Sequence, residues 1–129
     1  MPLCLAQQAS ARHYRLARET AIVAWWATTV EVHSAICRYY RGSRDSHRHH
    51  ALMRLAALRS RWIEIAPSDR VRDLAEQALD LGELRAADAL QLASALLWCH
   101  EKPRDRIFAT GDQRLGAAAT GAGFTVELF

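Results

Sequence analysis

Apolar runs alternate with amphipathic stretches along this chain. The run Thr20–Trp26, rich in β-branched and aromatic residues, predicts a strand buried on both faces, and Arg106–Ala109 predicts a second buried strand. Shorter strands are predicted at Trp62–Ile65 and Phe124–Leu128. Apolar positions spaced three and four residues apart predict helices between the strands, over Ala9–Glu19, Val30–Arg41, Ala51–Ser60, from Pro67–Asp69 to Gly82, Arg85–His100 and Gly111–Thr120.

Residues at the expected boundaries support these elements. Thr28 or Thr29 is predicted to cap the second helix, and Ser68 the fourth, since a side-chain hydroxyl can accept a bond from a free helix N–H. The polar segment Arg44–His50 is predicted to be a turn or a first helical turn. Its His47, His49 and His50 form a solvated basic patch or, on a second interpretation, a metal-binding tract.

Strands that alternate with helices imply right-handed crossovers and an α/β sandwich with a mainly parallel sheet. Binding sites in such sheets form at the carboxyl ends of the strands. A chain of 129 residues fits one domain, and no repeat or linker divides it. We therefore predict a single domain over residues 1–129.

Composition narrows the class of protein further. Lys102 is the single lysine among 17 basic residues, and the net charge of +3 slightly favours a nucleic-acid partner, because arginine binds phosphate in a fixed fork. Coding bias in the source genome is the alternative explanation for so much arginine. Cys4, Cys37 and Cys99 have no metal-binding or disulfide spacing. With no apolar run near ~20 residues and no basic leader, we expect no membrane contact and a cytoplasmic location.

Three carboxylates are the candidate chemistry. Glu31 opens a helix after the first apolar strand, Asp112 follows the strand ending in Thr110-Gly111, and Asp88 lies in a run of alanine and leucine. Each has a structural interpretation: Glu31 as a first-turn acid, Asp88 and Asp112 as helix caps. Together they form a candidate metal cluster, since hard divalent cations prefer carboxylate oxygens. We expect them to converge at one sheet edge, and at least one to have a raised pKa without metal.

The same segments carry a family resemblance. The chain resembles the PIN-domain nucleases, in particular the VapC-like toxins of bacterial toxin–antitoxin pairs. The resemblance runs from about Ala21 to the C-terminus and is most specific around Asp88; its segments are Thr28–Glu31, Leu84–Ala93, Phe108–Leu115 and Ala117–Phe124. It implies a three-layer α/β/α sandwich with a mainly parallel sheet.

The resemblance also implies a function. It is that of a Mg²⁺- or Mn²⁺-dependent endoribonuclease, a hydrolase in which acidic residues hold the metal that activates water for attack on the phosphate. On this basis Glu31, Asp88 and Asp112 are the catalytic and metal-binding residues, and Thr110 orients a carboxylate or water. Arg85 and Arg114 contact RNA phosphates or pair with the acids. The implied partners are RNA, a cognate antitoxin and a second copy in a homodimer.

The chain departs from the family at its N-terminus. The family begins with a central strand that carries a metal-binding Asp, whereas no Asp occurs here before Asp45. Three explanations are open: a start codon further upstream, a decayed member, or a substitute strand at Pro2–Ala6. We favour the first, and expect weak or absent ribonuclease activity from the chain as written. The alternative function is a catalytically inactive PIN-like module that binds an antitoxin or dimerises.

Overall fold

The computed structural model describes residues 21–129, a mixed α/β arrangement of five helices and four short strands. The predicted helix Ala9–Glu19 and the Pro2–Ala6 segment lie outside the described residues. In chain order the elements are β1 (Val23–Trp25), α1 (Thr28–Tyr39), α2 (Asp45–Arg59), β2 (Ile63–Ile65), α3 (Asp69–Leu81), α4 (Ala86–Trp98), β3 (Ile107–Thr110), α5 (Gln113–Ala122) and β4 (Thr125–Leu128).

Two compact units share these elements. One contains residues 21–22 and Ala27–Ile63, and the other contains Val23–Trp26 and Glu64–Phe129. The strands form two separate two-stranded sheets in the described part of the chain, β1 with β2 and β3 with β4. The prediction of short parallel strands between helices is thus confirmed at the level of fold class.

The first unit contains the helix pair α1 and α2. Val32 and Ile36 of α1 and Ala51 and Leu55 of α2 form its buried apolar cluster. Leu52 and Leu58, predicted with Leu55 as the apolar face of α2, pack against this cluster while remaining partly exposed. The histidines of the Arg44–His50 segment are exposed in the first two turns of α2, as expected for a solvated patch.

The start of α1 differs from the prediction. Neither Thr28 nor Thr29 is the N-cap, because the helix begins at Thr28 and Ala27 is the capping residue, with no side-chain bond. The amide of Glu31 donates to the carbonyl of Ala27 at 3.1 Å, which places Thr28 inside the first turn. The Thr28 side chain is buried rather than turned back to the helix end.

The pairing of β1 with β2 is parallel. Ile63 N–H donates to the Ile22 carbonyl and Trp26 N–H to the Ile65 carbonyl, so the bonds advance in the same direction along both strands. The predicted burial of both faces is wrong for β1, because only Trp25 of its three residues is buried. Trp26, just beyond the strand, is 54% exposed, so one tryptophan of the pair is core and the other is on the surface.

The second unit is built around α3, α4 and the β3–β4 sheet. Ser68 caps α3 as predicted, with its hydroxyl oxygen accepting from the Val71 amide at 3.2 Å. Arg70 of α3 is paired with Glu101 in the loop after α4. Half-exposed ion pairs of this kind contribute only about 0–1 kcal/mol, so buried apolar side chains of α3 and α4 contribute more: Val71, Leu74, Ala75, Ala89, Leu92 and Ala93.

The register of the β3–β4 sheet sets the arrangement at its carboxyl end. The strands are parallel, and Thr110 lies opposite Leu128. Phe108 of β3 packs against Phe124 at a ring separation of 5.5 Å, in a cluster with Leu92, Leu115 and Ala119. The predicted burial of this strand holds for one face of β3 only, since Phe108 and Thr110 are buried whereas Ile107 and Ala109 are exposed.

One further observation concerns membranes. Within residues 21–129, no helix has the length and apolar character that crossing a membrane requires.

Candidate metal centre

Asp112 lies between β3 and α5 and is the N-cap of α5. Its Oδ1 accepts a hydrogen bond from the Leu115 amide at 2.9 Å, which satisfies one free donor of the helix. Leu115 is itself 2% exposed in the apolar cluster of the second unit. The carboxylate is therefore fixed by a bond to the backbone of a core residue, as the capping interpretation of this acid requires.

Thr110 is the last residue of β3 and fixes the loop that follows. Its side chain is buried, and Oγ1 accepts a hydrogen bond from the Asp112 amide at 3.1 Å. The hydroxyl thus orients the backbone of Asp112, and with it the direction of the carboxylate. The role predicted for Thr110, orientation of a carboxylate or water, stays a prediction, and this contact is one way it would be achieved.

Asp88 lies in the first turn of α4. It is not the cap of that helix, because the helix begins at Ala86 and Arg85 occupies the N-cap position. The side chain is half-buried beside the fully buried Ala89. The capping interpretation that was open for this acid is therefore wrong. As a first-turn acid, Asp88 has a position that the helix dipole favours, as Glu31 does.

The electrostatics of Asp88 bring it together with Asp112. Burial raises the pKa of Asp88, the negative charge of Asp112 raises it further, and the charge of Arg85 opposes both effects. The expectation of a raised carboxyl pKa in the absence of metal is confirmed for this residue. The interaction also shows that the two acids, on different elements of one unit, lie within electrostatic reach of each other.

Glu31 belongs to the other unit. It lies half-buried in the first turn of α1, a position that the helix dipole favours for an acid. No group of three or more His, Cys, Asp or Glu side chains suited to a metal ion occurs among residues 21–129. The structure therefore brings Asp88 and Asp112 together, and the convergence of Glu31 with them stays a prediction.

The two arginines predicted to contact RNA lie beside the acid pair in sequence. Arg85 precedes α4 and is exposed, and its charge acts on Asp88. Arg114 is exposed in the first turn of α5, two positions after Asp112. Exposed guanidinium groups at these points are available to phosphate oxygens, and this assignment also stays a prediction.

The chemistry of the acid pair fits a divalent cation. Two carboxylates supply oxygen ligands, and Mg²⁺ characteristically combines one or two protein carboxylates with several waters. The mutual repulsion that raises the pKa of Asp88 is the interaction that a bound cation would relieve. That Asp88 and Asp112 hold Mg²⁺ or Mn²⁺ stays a prediction.

Sequence reasoning missed one residue at this end of the sheet. The ring of Phe129 lies against Gly111, where a Cβ atom would be 3.3 Å from Cε2 of the ring. The sequence feature that could have indicated this contact is an aromatic residue directly after one strand and a glycine directly after the neighbouring strand. Only the parallel register shows that the two meet.

Comparison of the chain with protein-family models, with curated proteins and with solved structures gave no match.

Proposed function

We propose that this chain is a Mg²⁺- or Mn²⁺-dependent endoribonuclease of the VapC-like type, with a PIN-like three-layer α/β/α fold. The observation that carries the proposal is the acid pair, Asp88 and Asp112. Its members come from different elements, and burial together with the charge of Asp112 raises the pKa of Asp88. A carboxyl group with a raised pKa near the carboxyl end of a parallel strand is typical of functional sites.

The chain's own residues have separable roles in this proposal. Asp112 is held by its cap bond to Leu115, and Thr110 fixes its backbone, so its carboxylate is preorganised. Asp88, at the start of α4, is proposed as a second oxygen donor and Glu31 as a third. Arg85 and Arg114 would bind the flanking RNA phosphates. A bound Mg²⁺ or Mn²⁺ supplies a Lewis acid and a more acidic water at such a site.

The proposal includes partners and a location. RNA is the substrate, and an antitoxin protein and a second copy of the chain are the protein partners. The proposed location is the cytoplasm, and one PIN-like domain extends over residues 1–129. The formal charge of +3 is compatible with RNA, although a charge of this size gives little non-specific attraction by itself.

A second candidate is an inactive PIN-like module that binds an antitoxin or dimerises. It is favoured by one observation: the part of the chain that the structure describes brings together two acids rather than three or four. A site with fewer carboxylates binds its metal more weakly and orients it less well, and positioning contributes much of the rate at such a site.

A metal-dependent cleavage assay separates the two functions. The chain is mixed in excess with structured RNA in Mg²⁺, in Mn²⁺ and in EDTA, so that slow single-turnover cleavage is detected. We expect slow cleavage in either metal and none in EDTA. Asp88→Asn should lower the rate at least tenfold, because it removes a charged oxygen ligand from the pair.

The matched control is Asp80→Asn, an exposed acid at the end of α3 in the same unit. It should leave the rate unchanged, since the same charge is removed away from the pair. Equal rates for Asp88→Asn and the unaltered chain would refute the proposed site. Absence of metal-dependent cleavage on any RNA would favour the interaction module.

A further inference from the structure

Two histidines and a methionine lie on adjacent turns of α2, in a part of the first unit that the proposed function does not use. His49 and Met53 are four residues apart in this helix, and His50 and Met53 are three apart. Side chains at these two spacings are neighbours on a helix surface, about 5–6 Å apart at Cβ. Helical side chains lean toward the N-terminus of the helix, which directs the thioether of Met53 back toward the turn that carries both imidazoles.

The rings of the two histidines are close enough to bind one ion. The ring centroids of His49 and His50 lie 6.3 Å apart. An imidazole nitrogen binds a transition metal at about 2.0–2.1 Å, so the centroids of two rings on one ion lie roughly 5–6 Å apart. Both histidines are exposed, and exposed side chains rotate readily, so a small rotation closes the remaining distance.

The thioether is accessible from solvent. Met53 is 57% exposed, and it lines an open depression on the surface of α2 together with His50, Arg54 and Ala57. A small ion can therefore reach the sulfur of Met53 and the imidazole of His50 without any movement of the backbone.

The donors and the surrounding charges select the kind of cation. Imidazole nitrogen and thioether sulfur are uncharged donors, and thioethers prefer soft cations such as Cu⁺. Arg48 and Arg54 lie on the same turns of α2, and Asp45 is the one acid of this helix. Repulsion from guanidinium groups grows with the charge of the ion, so it disfavours a divalent cation more than a monovalent one.

We propose that His49, His50 and Met53 form a binding site for Cu⁺ on the surface of α2. The site is distinct from the acid pair of the proposed nuclease, which belongs to the second unit. It supplies two nitrogens and one sulfur as donors. The helix holds these donors at a fixed spacing, because Ala51 and Leu55 anchor its opposite face in the apolar cluster of the first unit.

The test follows the site itself by NMR, because Cys37 and Cys99 are also soft ligands for Cu⁺. The full chain, with isotope-labelled methionine methyl groups, is titrated anaerobically with Cu⁺ against a competing Cu⁺ chelator. We expect the methyl signal of Met53 and the imidazole Cε1–H signals of His49 and His50 to shift together, with one midpoint. Zn²⁺ at the same concentration should leave the Met53 signal in place.

Met53→Leu is the decisive variant, because it keeps an apolar side chain at an exposed position and removes only the sulfur. It should raise the midpoint of the histidine shifts at least about tenfold, the cost typical of a lost contact at a metal site. His50→Gln should raise the midpoint of the Met53 shift by a similar factor. The matched control is His33→Gln, an exposed histidine on α1, which should leave both midpoints unchanged. Thermal melts of each variant report whether the fold is retained.

Shifts of all three side chains that depend on Met53 would support the site. An unmoved Met53 signal when the competing chelator is saturated would overturn it. Histidine signals that respond at the same Cu⁺ concentration in Met53→Leu would overturn it as well. An equal response of the Met53 signal to Zn²⁺ would contradict the assignment to a soft monovalent ion.

Discussion

At the scale of single residues, two aspartates of the same unit have different physical situations. Asp112 is a helix cap whose carboxylate accepts a backbone bond, an arrangement that stabilises the start of the helix. Asp88 has no such role, and burial together with the charge of Asp112 disfavours its ionised form. One acid of the pair is therefore explained by the fold, whereas the other has an electrostatic cost that a ligand would remove.

The two roles of Asp112 can be separated by substitution. Asp112→Asn keeps a good N-cap and removes the charge, whereas Asp112→Ala removes both. We expect Asp112→Asn to melt within about 2 °C of the unaltered chain, and Asp112→Ala to lose about 0.5–2 kcal/mol of stability. The check is a pair of thermal or urea melts in EDTA.

The same melts with millimolar Mg²⁺ or Mn²⁺ test the metal role. Metal that binds only the folded state raises the melting temperature by mass action. The unaltered chain should show this rise and both Asp112 variants should lack it. An undiminished rise in Asp112→Asn would show that the metal binds elsewhere, and Asp112→Ala would then be a capping variant only.

The raised pKa of Asp88 predicts how stability depends on pH. A carboxyl group whose pKa is higher in the folded state binds more protons there, so stability falls as pH rises from the ordinary value of 3.8 through the folded pKa. Asp88→Asn resembles the protonated form. In EDTA near pH 7 it should melt above the unaltered chain, and this difference should shrink as the pH falls toward 3.8.

With metal near pH 7, the unaltered chain should melt above Asp88→Asn, because the cation stabilises only the chain that keeps both charges. The measurement is a melting series from pH 3.5 to pH 8 on both proteins, with and without Mg²⁺. A variant that is less stable than the unaltered chain in EDTA at neutral pH would contradict the electrostatic cost assigned to Asp88.

At the scale of elements, helix ends determine where the chain turns. Ser68 starts α3 and Asp112 starts α5, each through a side-chain oxygen bonded to a backbone amide three residues later. Gly123 ends α5 in the left-handed region, with φ of +111°. That conformation turns the chain directly into β4, so the glycine fixes both the helix length and the start of the strand.

Gly123 and Gly121 give a matched pair of substitutions. A Cβ atom on residue 123 would lie 3.0 Å from Cγ of Pro103 and would have an unfavourable φ, whereas residue 121 has open space inside the helix. Gly123→Ala should cost about 1–3 kcal/mol. Gly121→Ala should stabilise the chain by about 0.5–1 kcal/mol, since alanine is the better helix former.

Urea unfolding of both alanine variants measures the two effects on one scale. Opposite signs would support the conformational argument. If Gly123→Ala is as stable as the unaltered chain, the backbone at residue 123 does not require the left-handed region. The turn from α5 into β4 would then not depend on a glycine.

At the scale of the whole molecule, the described residues form two compact units, each with its own apolar cluster. In the first, α1 and α2 cover Ile36, which is fully buried. In the second, helices and the β3–β4 sheet cover Phe108 and Leu115. Both strand pairs are only two strands wide within residues 21–129, and two-stranded sheets are marginal in isolation. Helix packing therefore contributes much of the stability of each unit.

The sequence by itself determined the elements and one of the caps. Apolar spacing predicted the described helices and strands, because periodicity is a local property of the chain. The start of α2 was placed six residues too late, at Ala51 instead of Asp45, because the polar residues before Ala51 carry no apolar periodicity. Ser68 as a cap followed from a hydroxyl in front of an amphipathic run. The prediction of Thr28 as a cap was wrong because a threonine at this point in the sequence also fits a position inside the first turn. The hydrogen bond from the Glu31 amide to the Ala27 carbonyl shows that Thr28 lies inside the turn.

Tertiary structure alone decided which distant residues meet. The proximity of Asp88 to Asp112 depends on how α4 packs beside the end of β3, and no local pattern specifies that. The contact of Phe129 with Gly111 depends on a strand register set by side chains from several elements. The exposure of Ile107 is likewise decided by what covers a strand face rather than by its composition. Local sequence thus fixes where elements begin and end, whereas their packing creates the candidate site.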